Sequence, residues 1–132
     1  MKPSFAFQWH ITDDCDQRCK HCYIFSADNC KKIETMSWDE MQETFYNCLD
    51  FCRVYGRTPY FYLTGGDPIL HPDFWRLLDL LHEHDVKFTI LGNPFHLNNQ
   101  VYLPRYYEIL QYLLFGFQYF LYCSKGLTHG HR

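Results

Sequence analysis

The sequence PYFYLTGGDP, residues 59–68, lies near the middle of the chain and decides its fold. Its first half is an apolar and aromatic run, which predicts a short buried strand. Its second half, residues 64–68, combines two glycines with a proline and predicts a loop directly after that strand. The segments on either side therefore determine how a sheet forms around this strand.

Downstream of the loop, the sequence predicts a helix and then another strand. Pro72 stands where the first residue of a helix is favoured. Apolar residues with helical spacing follow at Phe74, Leu77, Leu78 and Leu81. A further apolar run, residues 86–91, ends at Gly92 and predicts a third strand.

The upstream segments continue this alternation of strand and helix. Residues 4–11 form an aromatic and apolar run that predicts the first strand. Ser37 and Glu40 match a capping box. The helix that they begin is predicted over residues 38–55 and ends at Gly56. The order β-loop-α-β-α-β predicts an α/β fold with parallel strands and right-handed crossovers.

The composition of the 132 residues excludes several classes of protein. Hydrophobic residues make up 47% and charged residues 20%, which excludes general disorder. The net charge of −3 provides no basic excess, so neither nucleic acid nor a membrane is an expected partner. Residues 4–10 are too short and too polar for a signal peptide, and no apolar run is long enough for a membrane span. The sequence therefore predicts a soluble, cytoplasmic protein.

Three of the seven cysteines lie close together in the sequence CDQRCKHC, residues 15–22. They fall in a polar loop that is predicted over residues 12–36, directly after the first strand. A helix that buries a cysteine stripe is the alternative, but no other apolar residue joins Cys15, Cys19 and Cys22 on that face. Soft thiolates bind zinc, copper(I) or iron–sulfur clusters. A cubane cluster held by three cysteines keeps one iron without a protein ligand, and that iron can bind a small molecule.

The spacing of Cys15, Cys19 and Cys22 after a first strand resembles the motif of the radical S-adenosylmethionine (radical SAM) superfamily. The resemblance implies a parallel, partial (β/α)6 barrel in which the three cysteines bind a [4Fe–4S] cluster. It implies that the fourth iron is chelated by S-adenosylmethionine. It also implies that His21 lies near the adenine, and it places Tyr23 among the cofactor-binding residues.

A second motif supports the resemblance. Residues 65–68, Gly-Gly-Asp-Pro, are similar to the Gly-Gly-Glu-Pro loop of the superfamily, with aspartate in place of glutamate. The cofactor-binding residues that it implies are Thr64, Gly65, Gly66 and Asp67. Because glycine allows a ligand to approach the backbone, we expect Gly66→Val to crowd the ligand and to leave the cluster intact. Asn93 follows the third strand, at the end where ligands bind in α/β folds, and is either a cofactor-binding residue or part of a Gly-Asn-Pro turn.

The resemblance implies radical chemistry in which the cofactors act and no protein residue is assigned as a catalyst. In the superfamily the cluster passes one electron to S-adenosylmethionine, which breaks into methionine and a 5′-deoxyadenosyl radical. That radical abstracts a hydrogen atom from the substrate. The low potential required implies an electron donor of the flavodoxin or ferredoxin type. The finer resemblance is to the SPASM group, so a peptide or protein is the expected substrate.

The resemblance divides the chain into two parts. We expect residues 1–97 to be a truncated, N-terminal part of a radical SAM barrel. Residues 98–132 are expected to be an atypical tail, because aromatic residues cover every helical face there. Two alternatives remain open. One is a truncated, inactive fragment. The other is a non-catalytic module with zinc bound to Cys15, Cys19, Cys22 and either Cys30 or His21.

Overall fold

A computed structural model describes residues 1–15 and 32–92. Three strands alternate with two helices in this part of the chain. The strands are β1 (Ser4–Thr12), β2 (Thr58–Gly65) and β3 (Lys87–Ile90), and the helices are α1 (Trp38–Val54) and α2 (Phe74–Glu83). A short 3-10 helix, Pro68–Leu70, lies between β2 and α2. No helix in the described residues is long and apolar enough to cross a membrane.

The three strands form a parallel sheet in the order β1-β2-β3. Strands β1 and β2 pair from Ser4 opposite Thr58 to Thr12 opposite Gly65. Strand β3 adds a shorter parallel pairing on the other side of β2. The prediction of an α/β fold with parallel strands is confirmed. Because the strands are parallel, their carboxyl ends lie at the same edge of the sheet, where ligands bind in folds of this class.

Helix α1 begins where the capping box predicts. The Ser37 hydroxyl accepts a hydrogen bond from the Glu40 backbone N–H, and the Glu40 carboxylate accepts one from the Ser37 backbone N–H at 2.7 Å. The bond from the Ser37 N–H lowers the pKa of Glu40, because it stabilises the ionised carboxylate. The helix buries Met41 and Phe45 and ends at Val54, one residue before the predicted end.

The core lies between the sheet and the two helices, and aromatic rings fill its centre. Phe61 on β2 is fully buried. Its ring stacks on Phe7, with the ring centroids 5.3 Å apart. It also contacts Trp9 and Phe45, with centroids at 5.2 and 5.9 Å. A single side chain therefore joins β1, β2 and α1.

The face of the sheet that points away from this core is more polar. Side chains alternate along a strand, so Tyr60 and Tyr62 lie on the face opposite to Phe61. The hydroxyls of Tyr60 and Thr89 form a hydrogen bond of 2.6 Å between β2 and β3 on that face. The helices thus cover one face, and the other carries polar and aromatic side chains.

Several boundaries differ from those predicted. Residues 64 and 65, predicted as the start of a loop, belong to β2 because the end of β1 pairs with them. Helix α2 begins at Phe74 and not at Pro72, since residues 68–70 first form a 3-10 helix. Strand β3 is shorter than predicted at both ends. The boundary predicted after residue 97 lies outside the described residues.

Candidate functional site

The candidate site lies at the carboxyl ends of β1 and β2. Strand β1 ends at Thr12, and the half-buried Cys15 follows three residues later. Strand β2 ends at Gly65, and Gly66 and Asp67 follow directly. We call residues 65–68 the glycine loop. Because Thr12 pairs with Gly65 in the sheet, this loop and the segment that leads to Cys15 begin side by side.

Two backbone hydrogen bonds join these segments beyond the sheet. The Gly66 N–H donates to the Thr12 carbonyl at 2.8 Å, and the Asp67 N–H donates to the Asp14 carbonyl at 2.7 Å. Asp14 immediately precedes Cys15 in the chain. The first cysteine of one motif therefore lies beside the glycines of the other, although the two motifs are far apart in sequence.

The two glycines leave no room for a side chain at this junction. A Cβ atom on Gly65 would lie 2.3 Å from the carbonyl oxygen of Thr12. A Cβ atom on Gly66 would lie 2.3 Å from the carbonyl oxygen of Asp14 and 2.5 Å from that of Asp13. The close approach that glycine permits here is to the chain itself. A side chain at Gly66 would therefore also press on the chain that leads to Cys15. That Gly66→Val crowds the ligand and leaves the cluster intact stays a prediction.

The loop between β1 and α1 is closed at its base by its own two ends. We call these ends, residues 11–14 and 34–36, the loop neck. Three hydrogen bonds join the two halves of the neck: Asp13 N–H to the Glu34 carbonyl at 2.8 Å, Met36 N–H to the Ile11 carbonyl at 3.0 Å, and the hydroxyls of Thr12 and Thr35 at 2.8 Å. The outgoing half of the neck therefore lies between the returning half and the glycine loop.

A buried carboxylate reinforces the neck. One oxygen of Asp13 accepts a hydrogen bond from Nε2 of His10 at 2.7 Å, and the other accepts one from the Glu34 N–H at 3.2 Å. These donors offset the cost of burying the charge. A cavity of about 530 Å³ opens beside the neck, and both His10 and Asp13 line it. Nothing in the sequence pattern marks Asp13, because its partner Glu34 comes near only when the loop closes.

Asp67, a predicted cofactor-binding residue, has a contact within the protein. Its side chain is fully buried, and one carboxylate oxygen accepts a hydrogen bond from the Ile69 N–H at 3.2 Å. This bond caps the 3-10 helix. A Cβ atom on Gly92, beyond the end of β3, would lie 3.1 Å from the same oxygen. Asp67 therefore fills the space between the ends of β2 and β3, and its contact with S-adenosylmethionine stays a prediction.

His71 is a buried residue whose contacts the sequence does not reveal. Its Nδ1 accepts a hydrogen bond from the Asp73 N–H at 2.9 Å. The proton must then be on Nε2, which donates to the carbonyl of Met36 at 2.7 Å. The imidazole thereby ties the segment after β2 to the returning half of the loop neck. Its partners are backbone groups, one of them 35 residues away, so no sequence motif could identify it.

Most of the predicted site residues lie outside the described part of the chain. They are Cys19, His21, Cys22, Tyr23, Cys30 and Asn93. Thr64 is described and lies buried in β2, opposite His10. Within residues 1–15 and 32–92, no group of three or more His, Cys, Asp or Glu side chains is placed to hold a metal ion. The donor set as a whole fits an iron–sulfur cluster, because it consists of three thiolates and begins at Cys15, beside the glycine loop.

The chain matches the radical SAM superfamily over residues 9–118. The matched region contains the three motif cysteines and the glycine loop. It also continues past residue 97, where the sequence predicts a boundary. That boundary itself stays a prediction.

Several curated proteins are similar to the chain. An S-adenosylmethionine-dependent nucleotide dehydratase of Fibrobacter sp. (strain UWH6) is 28% identical over 99 residues, which cover 71% of this chain and 28% of that protein. The mycofactocin maturase MftC of Mycobacterium ulcerans (strain Agy99) is 28% identical over 95 residues, covering 70% of this chain and 23% of the maturase. The MftC of Mycobacterium tuberculosis (strain ATCC 25618 / H37Rv) is 31% identical over 88 residues, which cover 64% of this chain and 20% of that maturase. The matched part of the chain thus spans less than a third of each of these relatives. No solved structure matches the chain significantly.

Proposed function

Because this chain belongs to the radical SAM superfamily, we propose that Cys15, Cys19 and Cys22 hold a [4Fe–4S] cluster, with S-adenosylmethionine bound between it and the glycine loop. Membership in the superfamily supports an enzyme and implies both cofactors. One observation carries the proposal. The hydrogen bond from the Asp67 N–H to the Asp14 carbonyl holds the segment before the first cysteine against the glycine loop. The two motifs thereby meet at the ligand-binding edge of a parallel sheet.

The backbone carbonyl oxygens of the glycine loop suit the amino group of S-adenosylmethionine. The N–H groups of Gly66 and Asp67 donate to the neighbouring chain and are occupied. The loop therefore offers carbonyl oxygens to a ligand, and these accept hydrogen bonds from an ammonium group. We assign the carbonyls of Gly65 and Gly66 to the amino group of the methionine moiety. When bound, the two cofactors supply one-electron radical chemistry for hydrogen abstraction.

The proposal includes four further cofactor-binding residues. Thr64 precedes the glycine loop at the end of β2. The others are His21, Tyr23 and Asn93. Each of them binds or orients S-adenosylmethionine in the proposal, and none is assigned a catalytic proton transfer.

We propose a peptide or protein as the substrate. The mycofactocin maturases among the relatives, at 28–31% identity, support this class. A low-potential electron donor of the flavodoxin or ferredoxin type and a cytoplasmic location belong to the same proposal.

The cluster is tested by anaerobic reconstitution of the full chain with iron and sulfide, followed by visible absorption and iron and sulfide analysis. We expect Cys15→Ala, Cys19→Ala and Cys22→Ala each to lose most of the bound iron. Cys48→Ala is the matched control and keeps the cluster, because Cys48 lies half-buried on α1, where burial raises the pKa of its thiol. A triple variant of the motif that retains a full complement of iron and sulfide contradicts the proposal.

A further variant separates the cluster from a zinc module. A closed structural zinc site needs four ligands, so it would depend on a residue such as Cys30. The cluster needs only the three motif cysteines, and we expect Cys30→Ala to reconstitute like the wild type. A chain that binds zinc stoichiometrically, takes up no sulfide and loses the zinc on Cys30→Ala would instead be a zinc module.

A further inference from the structure

Gly66 lies against the chain that leads to the first motif cysteine, and this contact involves no cofactor. We infer that Gly66 is a positioning residue for the cluster, because it lets the glycine loop fix the backbone before Cys15. The inference rests on the proposed function, since it concerns the same cysteines. It differs from a ligand contact, because it acts before S-adenosylmethionine binds.

The backbone around Gly66 leaves no space for a side chain. The position of its Cβ atom is 2.3 Å from the carbonyl oxygen of Asp14, 2.5 Å from that of Asp13 and 2.7 Å from the carbonyl carbon of Asp14. All three are backbone atoms, which cannot rotate aside as the end of a long side chain can. Any residue other than glycine at position 66 must therefore displace residues 13–14, next to Cys15.

The segment before Cys15 is also held on both sides. On one side, the N–H groups of Gly66 and Asp67 bind the carbonyls of Thr12 and Asp14. On the other side, the Asp13 N–H donates to the Glu34 carbonyl, and the Asp13 carboxylate accepts a hydrogen bond from the Glu34 N–H across the loop neck. A displacement of residues 13–14 cannot be absorbed on the far side without breaking the neck. It is therefore passed along the chain to Cys15.

The test measures the cluster in the absence of S-adenosylmethionine. We expect reconstituted Gly66→Ala to show an altered visible spectrum and to lose iron to a chelator about tenfold faster than the wild type, since loss of a positioning contact weakens metal binding by about 10–100-fold. Gly56→Ala is the matched control. Gly56 has a φ of 61°, so the backbone conformation itself strains an alanine at this position. Nothing lies within 4 Å of its Cβ position, and Gly56 is remote from the site. We expect its spectrum and iron loss to equal those of the wild type.

Amide hydrogen exchange of the wild-type chain without cofactors provides a measurement that does not depend on how a variant folds. We expect the Gly66 and Asp67 amides to be protected to the same degree as the centre of β2. Protection that appears only after cluster and S-adenosylmethionine are added would overturn the inference. So would a Gly66→Ala cluster that matches the wild type while only its affinity for S-adenosylmethionine falls. Failure of the wild type to bind iron and sulfide would instead overturn the proposed function.

Discussion

Asp67 stands where the superfamily carries glutamate, and its shorter side chain fits the space between two strand ends. The carboxylate accepts the Ile69 N–H and so caps the 3-10 helix that follows β2. Gly92 brings the chain after β3 close to the same oxygen. A longer side chain would carry the carboxylate past the N–H that it caps. The departure from the family motif therefore accompanies a local hydrogen bond that aspartate makes well.

Removal of this cap is expected to destabilise the chain. We expect Asp67→Ala to lower the free energy of unfolding by about 1 kcal/mol, because the buried Ile69 N–H loses its acceptor. Asp67→Asn is the matched control and stays closer to the wild type, since asparagine caps as well as aspartate. Urea denaturation of the chain without cofactors measures both. An asparagine variant as unstable as the alanine variant would show that the charge matters and not the cap.

At the scale of secondary structure, helix α1 could be predicted to within one residue because its determinants are local. Ser37 and Glu40 are three residues apart, and their reciprocal hydrogen bonds depend on no distant segment. The end of β2 and the 3-10 helix could not be predicted in this way. Residues 64 and 65 are extended because β1 pairs with them, and that pairing is a long-range contact.

The same helix gives a prediction about pH. Because the pKa of Glu40 is lowered on folding, its ionised form contributes stability above the ordinary pKa of 4.5, and this contribution is lost as the pH falls through the folded-state pKa. We expect the wild type to be more stable than Glu40→Gln at neutral pH, and the difference to disappear in acid. Glu43→Gln, an exposed change on the same helix, is the control for general charge effects. A difference between wild type and Glu40→Gln that is independent of pH in thermal melts would contradict this explanation.

At the scale of the whole molecule, Phe61 holds the sheet and α1 together. It is fully buried and contacts aromatic rings of β1 and α1. We expect Phe61→Ala to cost about 3–5 kcal/mol in the free energy of unfolding, because it leaves a cavity at the centre of the core. Val54→Ala is the control and changes stability by less than about 0.5 kcal/mol, since Val54 is 72% exposed. A loss below that of an ordinary surface change, measured by urea denaturation, would show that the core can repack around the gap.

The candidate site was predictable from the sequence only in its two motifs. Cys15 and residues 65–67 are chemically conspicuous, and their positions after strands already suggest one edge of a sheet. The contacts that hold them together are backbone hydrogen bonds from Gly66 and Asp67 to Thr12 and Asp14. Asp13 and His71 brace both segments through backbone groups of Glu34 and Met36, which are distant in sequence. Any residue can provide a backbone N–H or carbonyl, so the sequence does not identify these partners. Such contacts therefore become visible only when the chain is folded.

The loop neck has a consequence for the order in which the holoprotein is made and repaired. Nineteen residues separate Asp14 from Glu34, and the neck fixes both ends of that segment without a metal ion. Closing a loop of this length costs on the order of 2–3 kcal/mol of chain entropy, and here that cost falls on folding and not on cluster insertion. On the proposed function, iron and sulfide could therefore be delivered last, to a chain that is already folded. On the proposed function, a chain that lost its cluster would keep both anchoring points and could be refilled without being unfolded.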